Sequence, residues 1–313
     1  MDQNPLLVIL GPTASGKTKL SVSLANTLNA EIISADSRQV FKGMDIGTGK
    51  DLDEYHINGK TIPYHLINIR EAGENYNVNS FKADFYEVFE DLTNRKKLPI
   101  LCGGTGMYIH SVLQNHEYTA IPVNMELRNS LPAHDIAALR TLLSKYPAAL
   151  TAHADISSGK RMIRAIEIAD YLTYNELISE KRPAIKPLII GLTSDVEIRR
   201  ERIFKRLNER FDNGLIEEVE GLLVNGVSKD MLTFYGLEYK FVTGYLYKEY
   251  NLEDLKDKLY IGIRQFAKRQ MTFFRKMEKD GINIHWFNTA QNAEEMKNDI
   301  LELYFNVFDI KKR

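Results

Sequence analysis

Gly11-Pro12-Thr13-Ala14-Ser15-Gly16-Lys17-Thr18 fits the phosphate-loop pattern G-x-x-x-x-G-K-[ST]. The apolar run LLVIL at residues 6–10 precedes it, and KLSVSLANTL follows with the periodicity of an amphipathic helix. The strand–loop–helix context that gives the motif meaning is therefore present. Glycines at its two ends let successive backbone N–H groups curl around an anion, and the start of the following helix adds partial positive charge. Lys17 supplies a point charge, and Thr18 offers a hydroxyl to a divalent cation, Mg2+ in most such loops. The eight residues specify a polyphosphate without saying which one.

A second feature narrows the choice. EIISAD, at residues 31–36, reads as another buried strand ending in Asp36, with SRQVFKGMDIGTGK after it. A carboxylate there stands at the carboxyl edge of a parallel sheet, beside the phosphate loop, where open α/β sheets bind ligands. Taken alone, such an aspartate also fits a helix cap, a ribose contact or a metal contact.

The remaining elements alternate. Strands are expected at residues 6–10, 31–35, 99–102, 187–193 and 283–287, with helices at 16–28, 80–96 and 105–113 between them. Alternation with short turns predicts a parallel sheet covered by helices on both faces. Residues 115–186 lack a convincing strand and carry helical periodicity instead, clearest in GKRMIRAIEIADYL from Gly159. The expected architecture is an α/β, P-loop NTPase-like parallel-sheet core (residues 1–114 and 187–313) flanked by helices, with an all-helical insertion domain at 115–186. A capped helix from Asp195 to Arg210 and a long helix over 252–279 complete it.

GPTASGKT, DSRQVFKGMDIGTGK, LPILCGGTGMYI from Leu98 and RQFAKRQMTFFR from Arg264 stand in the order seen in tRNA dimethylallyltransferases, which the chain resembles from Leu6 to about Phe287. The resemblance implies transfer of a dimethylallyl group from dimethylallyl diphosphate to N6 of the adenosine beside the anticodon (position 37) in tRNAs that read codons beginning with U. The phosphate loop, Gly11 through Thr18, would then hold a diphosphate rather than nucleotide phosphates, with Mg2+ at Thr18. The acceptor amine is delocalised into its ring and becomes strongly acidic only as the new C–N bond forms. A carboxylate is too weak a base to deprotonate it in advance, but can orient N6–H and take the proton late. Asp36 suits that role.

Thr105 matches the family's donor to the leaving diphosphate, its bland alternative being an N-cap hydroxyl. Arg206 and Arg210 match arginines that reach the diphosphate, the alternative being surface solvation. The resemblance places tRNA contacts at Asp36, Ser37, Arg38, Gln39, Thr105, Arg128, Lys160, Arg161, Met162, Ile163 and Arg164, and makes the insertion a mobile lobe that closes over the tRNA. The chain departs from the family pattern at three places. Lys160 replaces a glutamine, Glu238 stands at a glycine position, and DIGTGK puts Gly49 where alanine is usual.

Composition agrees with a globular enzyme: 313 residues, 44% hydrophobic and 27% charged, with a net charge of −1. No apolar run approaches the ~20 residues needed to span a bilayer, so no membrane association is expected. A single cysteine, Cys102, excludes an intramolecular disulfide and reads as an inert core thiol in a cytoplasmic protein. Near-neutral charge argues against a protein that coats nucleic acid, but six basic residues against two acidic ones between Arg199 and Arg210, and six against one between Tyr260 and Lys279, can attract phosphates locally. The chain is expected to act as a monomer. Rival readings are an adenylate isopentenyltransferase using free AMP, ADP or ATP, a phosphate-loop small-molecule kinase, and a non-catalytic RNA-binding module.

Overall fold

The computed structural model describes residues 4–114, 116–152, 154–177 and 181–310. The first segment runs β1 (Asn4–Leu10), α1 (Lys17–Leu28), β2 (Glu31–Ser34), a small hairpin of β3 (His56–Ile57) and β4 (Lys60–Thr61), β5 (Tyr64–His65), α2 (Val78–Asn94), β6 (Pro99–Gly103) and α3 (Gly106–Leu113). Four helices follow: α4 (Met125–Ser130), α5 (Ile136–Leu143), α6 (Ala148–Thr151) and α7 (Gly159–Tyr174). The chain then continues with β7 (Ile185–Thr193), α8 (Val196–Asp212), α9 (Leu215–Val224), α10 (Lys229–Tyr235), α11 (Leu237–Leu246), α12 (Leu252–Lys279), β8 (His285–Asn288) and α13 (Ala293–Val307).

Six strands form one parallel sheet in the order β5-β2-β6-β1-β7-β8. The central strand β1 pairs on one side with β6, Leu7 opposite Ile100, and on the other with β7, Val8 opposite Ile189. Period-two alternation divides its side chains between two cores. Leu6, Val8 and Leu10 face one, with α2, α3 and α8 to α12, while Leu7 and Ile9 face the other, with α1 and α13. A strand buried on both faces must be apolar throughout, which is why LLVIL is legible.

The expected parallel sheet flanked by helices is what forms. Several details differ from the sequence expectations. The edge strand β5 has two residues, too few to carry a pattern. The helical segment ends earlier than 186: the chain divides into residues 1–114 with 183–313, and residues 115–182. Ile185 and Lys186 already belong to β7, because Asn4 and Pro5 extend β1 to pair with them. Asp195 does hold the N-cap position of α8, but its side chain makes no capping hydrogen bond. Among the described residues no helix is long and apolar enough to cross a membrane.

The second unit is built from α4 to α7 around Leu139, Leu143, Met162, Ala165 and Ile166. Glu167, fully buried in its side chain, receives a bidentate pair from Arg128, with Nε at 2.7 Å and Nη2 at 2.8 Å. A buried carboxylate is tolerable only with such partners.

Candidate active site

The direction of the chain at the sheet's carboxyl edge creates the site. From β1 it turns into α1 on one face and goes to β2; from the adjacent β6 it turns into α3 on the other face and goes to β7. Neighbouring strands whose connections diverge to opposite faces leave a crevice between their ends, and ligands of open α/β sheets bind there. Here the crevice is a cleft of about 850 Å³.

The phosphate loop forms one wall. Gly16, with φ 79° and ψ 16°, turns the chain into α1, and Ala14 also has a positive φ of 60°. The Ser15 hydroxyl is buried with no hydrogen-bond partner among the described residues, which leaves it for a ligand oxygen. Burial pushes the Lys17 ammonium below its ordinary pKa, partly offset by the nearby Cys102 and Asp36. A lysine destabilised in this way gains from an arriving anion. The cleft is lined by nine lysines and arginines against six carboxylates among the described residues, so it favours a polyanion although the whole chain carries −1.

The facing wall joins the ends of β2 and β6. Gly103 lies so close to β2 that a Cβ there would sit 2.2 Å from the Ala35 carbonyl oxygen, so only glycine fits. The backbone N–H of Thr105 donates to Ala35 at 3.1 Å, and the Ser37 N–H donates to Thr105 Oγ1 at 3.0 Å. Thr105 stands at the N-cap position of α3 yet makes no capping hydrogen bond. Its hydroxyl is turned instead to the segment carrying Asp36. The Asp36 carboxylate accepts from the Arg38 N–H at 3.0 Å, a local turn rather than a helix cap. Asp36, Ser37, Arg38 and Gln39 are half-buried and all line the cleft. Gln39 is fixed by Ser34 at 2.9 Å and by the Gly49 carbonyl at 3.2 Å.

Arg206 and Arg210, from α8, also line the cleft, so surface solvation does not describe them. Arg206 pairs with Asp51, and Arg210 Nη1 donates to Glu238 at 3.0 Å. Thr18 lies in the cleft beside the loop, and among the described residues no cluster of three acidic, histidine or cysteine side chains could hold a metal by itself. One hydroxyl, with the remaining positions left to phosphate oxygens and water, is the donor set magnesium accepts with a polyphosphate ligand. Cys102, 6% exposed and with its thiol pushed up by burial, matches the inert reading.

Gln270 was not singled out by the sequence, and it connects the two walls. The Thr13 N–H donates to its Oε1 at 2.8 Å, and its Nε2 donates to the Gly104 carbonyl at 3.0 Å. The available signal was periodicity. The buried stripe of α12 runs Leu255, Leu259, Ile263, Ala267, Gln270, Phe274, Met277, and an amide in such a stripe needs hydrogen-bond partners. Gln270→Leu is expected to lower turnover about tenfold and to reduce thermal stability, since Thr13 N–H and Gly104 C=O lose their partner at about 1–3 kcal/mol each. Melting curves and steady-state rates check this, and parent-like values in both would remove the bridge from the site.

The lobe residues divide by surroundings. Arg164 donates to the carbonyls of Ile121 at 2.6 Å and Tyr118 at 3.0 Å, and Arg128 is held by Glu167, so both tie the 118–128 segment to α7. Met162 is fully buried in the lobe core and its side chain serves packing there. Lys160 and Arg161 are exposed or nearly so, Arg161 pairing with Asp155 at 2.8 Å, and Ile163 is half-buried.

A phosphate loop, a strand-end carboxylate and a threonine meet at the divergence point of a parallel sheet, the arrangement of an α/β protein with a phosphate-loop cleft. The family model for IPP transferase matches residues 39–277. The chain is 50% identical over 296 residues to tRNA dimethylallyltransferase 1 of Parabacteroides distasonis, covering 94% of this chain and 96% of that one. It is 49% identical over 299 residues to tRNA dimethylallyltransferase 1 of Porphyromonas gingivalis, covering 96% and 99%. The crystal structure of the tRNA isopentenylpyrophosphate transferase from Bacillus halodurans superposes with a TM-score of 0.72 at 32% identity, covering 98% of this chain and 97% of that one. The chain belongs to the IPP transferase family and is a prenyl-transferring enzyme.

Proposed function

We propose that this enzyme transfers the dimethylallyl group from dimethylallyl diphosphate to the exocyclic N6 of the adenosine at position 37 of tRNAs reading codons that begin with U, releasing diphosphate, and that it does so as a cytoplasmic monomer. The observation that carries this reading lies on the wall facing the phosphate loop: the Asp36 segment is fastened to Thr105 by the Ser37 N–H, on the rim of the cleft. A donor diphosphate in that loop would share its cleft with Asp36.

In this reading the backbone from Gly11 to Thr18, with Lys17, binds the diphosphate. Mg2+, held by Thr18 and the diphosphate, would neutralise part of its charge when bound. Ile263, Phe266 and Phe273 give the cleft an apolar side suited to an isoprenoid chain. Asp36 orients N6–H and accepts its proton as the C–N bond forms. Thr105, Arg206 and Arg210 donate to the leaving diphosphate, whose charge grows as its bond to carbon lengthens. The target base must leave its stack to react, as is usual where RNA loops are read or modified. Ser37, Arg38 and Gln39 would contact it from the cleft, and Lys160 and Arg161 would meet the tRNA backbone from the lobe.

Incubating the protein with labelled dimethylallyl diphosphate and tRNA, AMP or ATP tests this. Label transfer to tRNA alone is expected; transfer to a free adenylate, or phosphorylation of a small molecule from ATP, would sink the assignment.

The lobe contacts carry their own expectation. Arg164 is a poor probe, because charge reversal there also orphans the carbonyls of Tyr118 and Ile121. Reversal at Lys160 and Arg161 is expected to weaken tRNA binding and lower its log–log salt slope by roughly 1–2, with diphosphate affinity within about twofold. Filter binding across a salt series decides; parent-like affinity at every salt concentration would retire the lobe contact at these residues.

A further inference from the structure

We propose that Glu238 is an internal counter-anion for the donor site: it occupies Arg210 until a diphosphate arrives, and thereby sets how loosely the cleft holds that diphosphate. The inference rests on the assignment of the cleft to a diphosphate.

Glu238 lies in the first turn of α11, 5% exposed, on the cleft lining. Its Oε1 accepts from Arg210 Nη1 at 3.0 Å, and its Oε2 lies 3.4 Å from Arg38 Nη1. One buried carboxylate thus joins the arginine assigned to the diphosphate and the arginine assigned to the acceptor. Arg38 is further steadied by Phe266, whose ring centre is 4.9 Å from its guanidinium carbon. Arg210 also donates to the Gly47 carbonyl at 3.3 Å and packs against Gly49. A Cβ built on Gly49 would fall 2.1 Å from Arg210 Nη2, at a residue whose φ of +60° already disfavours a side chain. Gly49 and Glu238 are two of the positions at which this sequence departs from the family pattern, and both touch the same guanidinium.

The chemistry follows from donor supply. A guanidinium N–H engaged by a carboxylate must leave it to reach a phosphate oxygen, and both acceptors want the same charge-assisted bonds. Glu238 also repels an incoming polyanion in a setting where its near-complete burial limits screening by water. Both effects weaken ground-state binding of the diphosphate. Charge on the leaving group then grows along the reaction, so Arg210 is drawn from Glu238 more fully late than early, which favours the transition state over the ground state. Asp51 makes the corresponding pair with Arg206, but it is 40% exposed in its side chain and water screens it.

Calorimetric titration with inorganic diphosphate in magnesium chloride tests the proposal. Glu238→Gln keeps the shape and removes the charge; it is expected to bind diphosphate about tenfold tighter than the parent, with KM for the donor falling and kcat not rising. Glu238→Asp keeps the charge and is expected to stay within about threefold of the parent, while Asp51→Asn tightens binding by less than about threefold. Parent-like or weaker binding by Glu238→Gln overturns the inference, since loss of a merely structural contact loosens the arginines. Tightening of Glu238→Asp equal to that of Glu238→Gln overturns it too, because packing and not charge would then be responsible. Failure of the parent itself to bind diphosphate would instead remove the assignment of the cleft, and the proposal with it.

Discussion

Asp36→Asn is expected to lower the single-turnover rate of dimethylallyl transfer by ~10²–10⁴-fold, the usual worth of a general acid–base group, while diphosphate affinity stays within a few-fold of the parent. Asparagine retains an oxygen to accept the Arg38 N–H that now bonds Asp36 Oδ1, so the turn after β2 is kept. Thr105 also remains joined to Ser37, so the geometry of the rim survives. What is lost is the capacity to take a proton as the amine becomes acidic. Because Asp36 lines the cleft outside the phosphate loop, donor binding and chemistry separate cleanly. A single-turnover rate within tenfold of the parent would remove Asp36 from proton transfer.

Lys17→Ala is expected to act on both quantities. The ammonium meets the diphosphate in the ground state and in the transition state, so affinity for a non-reactive donor analogue and kcat/KM should fall together, with turnover down by on the order of 10³-fold. Partial burial of Lys17 adds to the loss. Lys17 holds its charge at a cost that the bound anion offsets, and a neighbouring lysine in solvent cannot substitute for it. Titration calorimetry with the analogue and steady-state rates for the same protein preparation measure the two effects. Unchanged affinity together with unchanged turnover would mean that the loop is not the donor site.

Legibility in the sequence followed the strength of local signals. LLVIL is apolar on both faces because β1 is covered on both, and the loop after it has a fixed spacing. The long helix α12 declares itself by its stripe. The short strand β5 and the helices α9, α10, α11 and α13 left no comparable trace, because two residues carry no period and short helices take their faces from partners remote in sequence. The expected helical insertion at 115–186 rests on the clear apolar face of α7, but Ile185 and Lys186 fall in β7, which pairing with the first residues of β1 lengthens.

The candidate site divides in the same way. Sequence spacing alone determined the phosphate loop, since the backbone curl, Lys17 and Thr18 are adjacent in the chain and need no distant partner to be recognised. For Thr105 and Asp36, local sequence alone left the caps open beside the ligand contacts. Tertiary structure removed the caps: it sets β2 beside β6, so that Ser37 claims the Thr105 hydroxyl across 68 positions of sequence, and Asp36 accepts from Arg38 in a local turn. The partners of Gln270 and Glu238 belong to that second kind of information. Their hydrogen bonds reach residues 257 and 28 positions away, at Thr13 and Arg210, and no period or motif in a single chain encodes which side chain a fold will set opposite another.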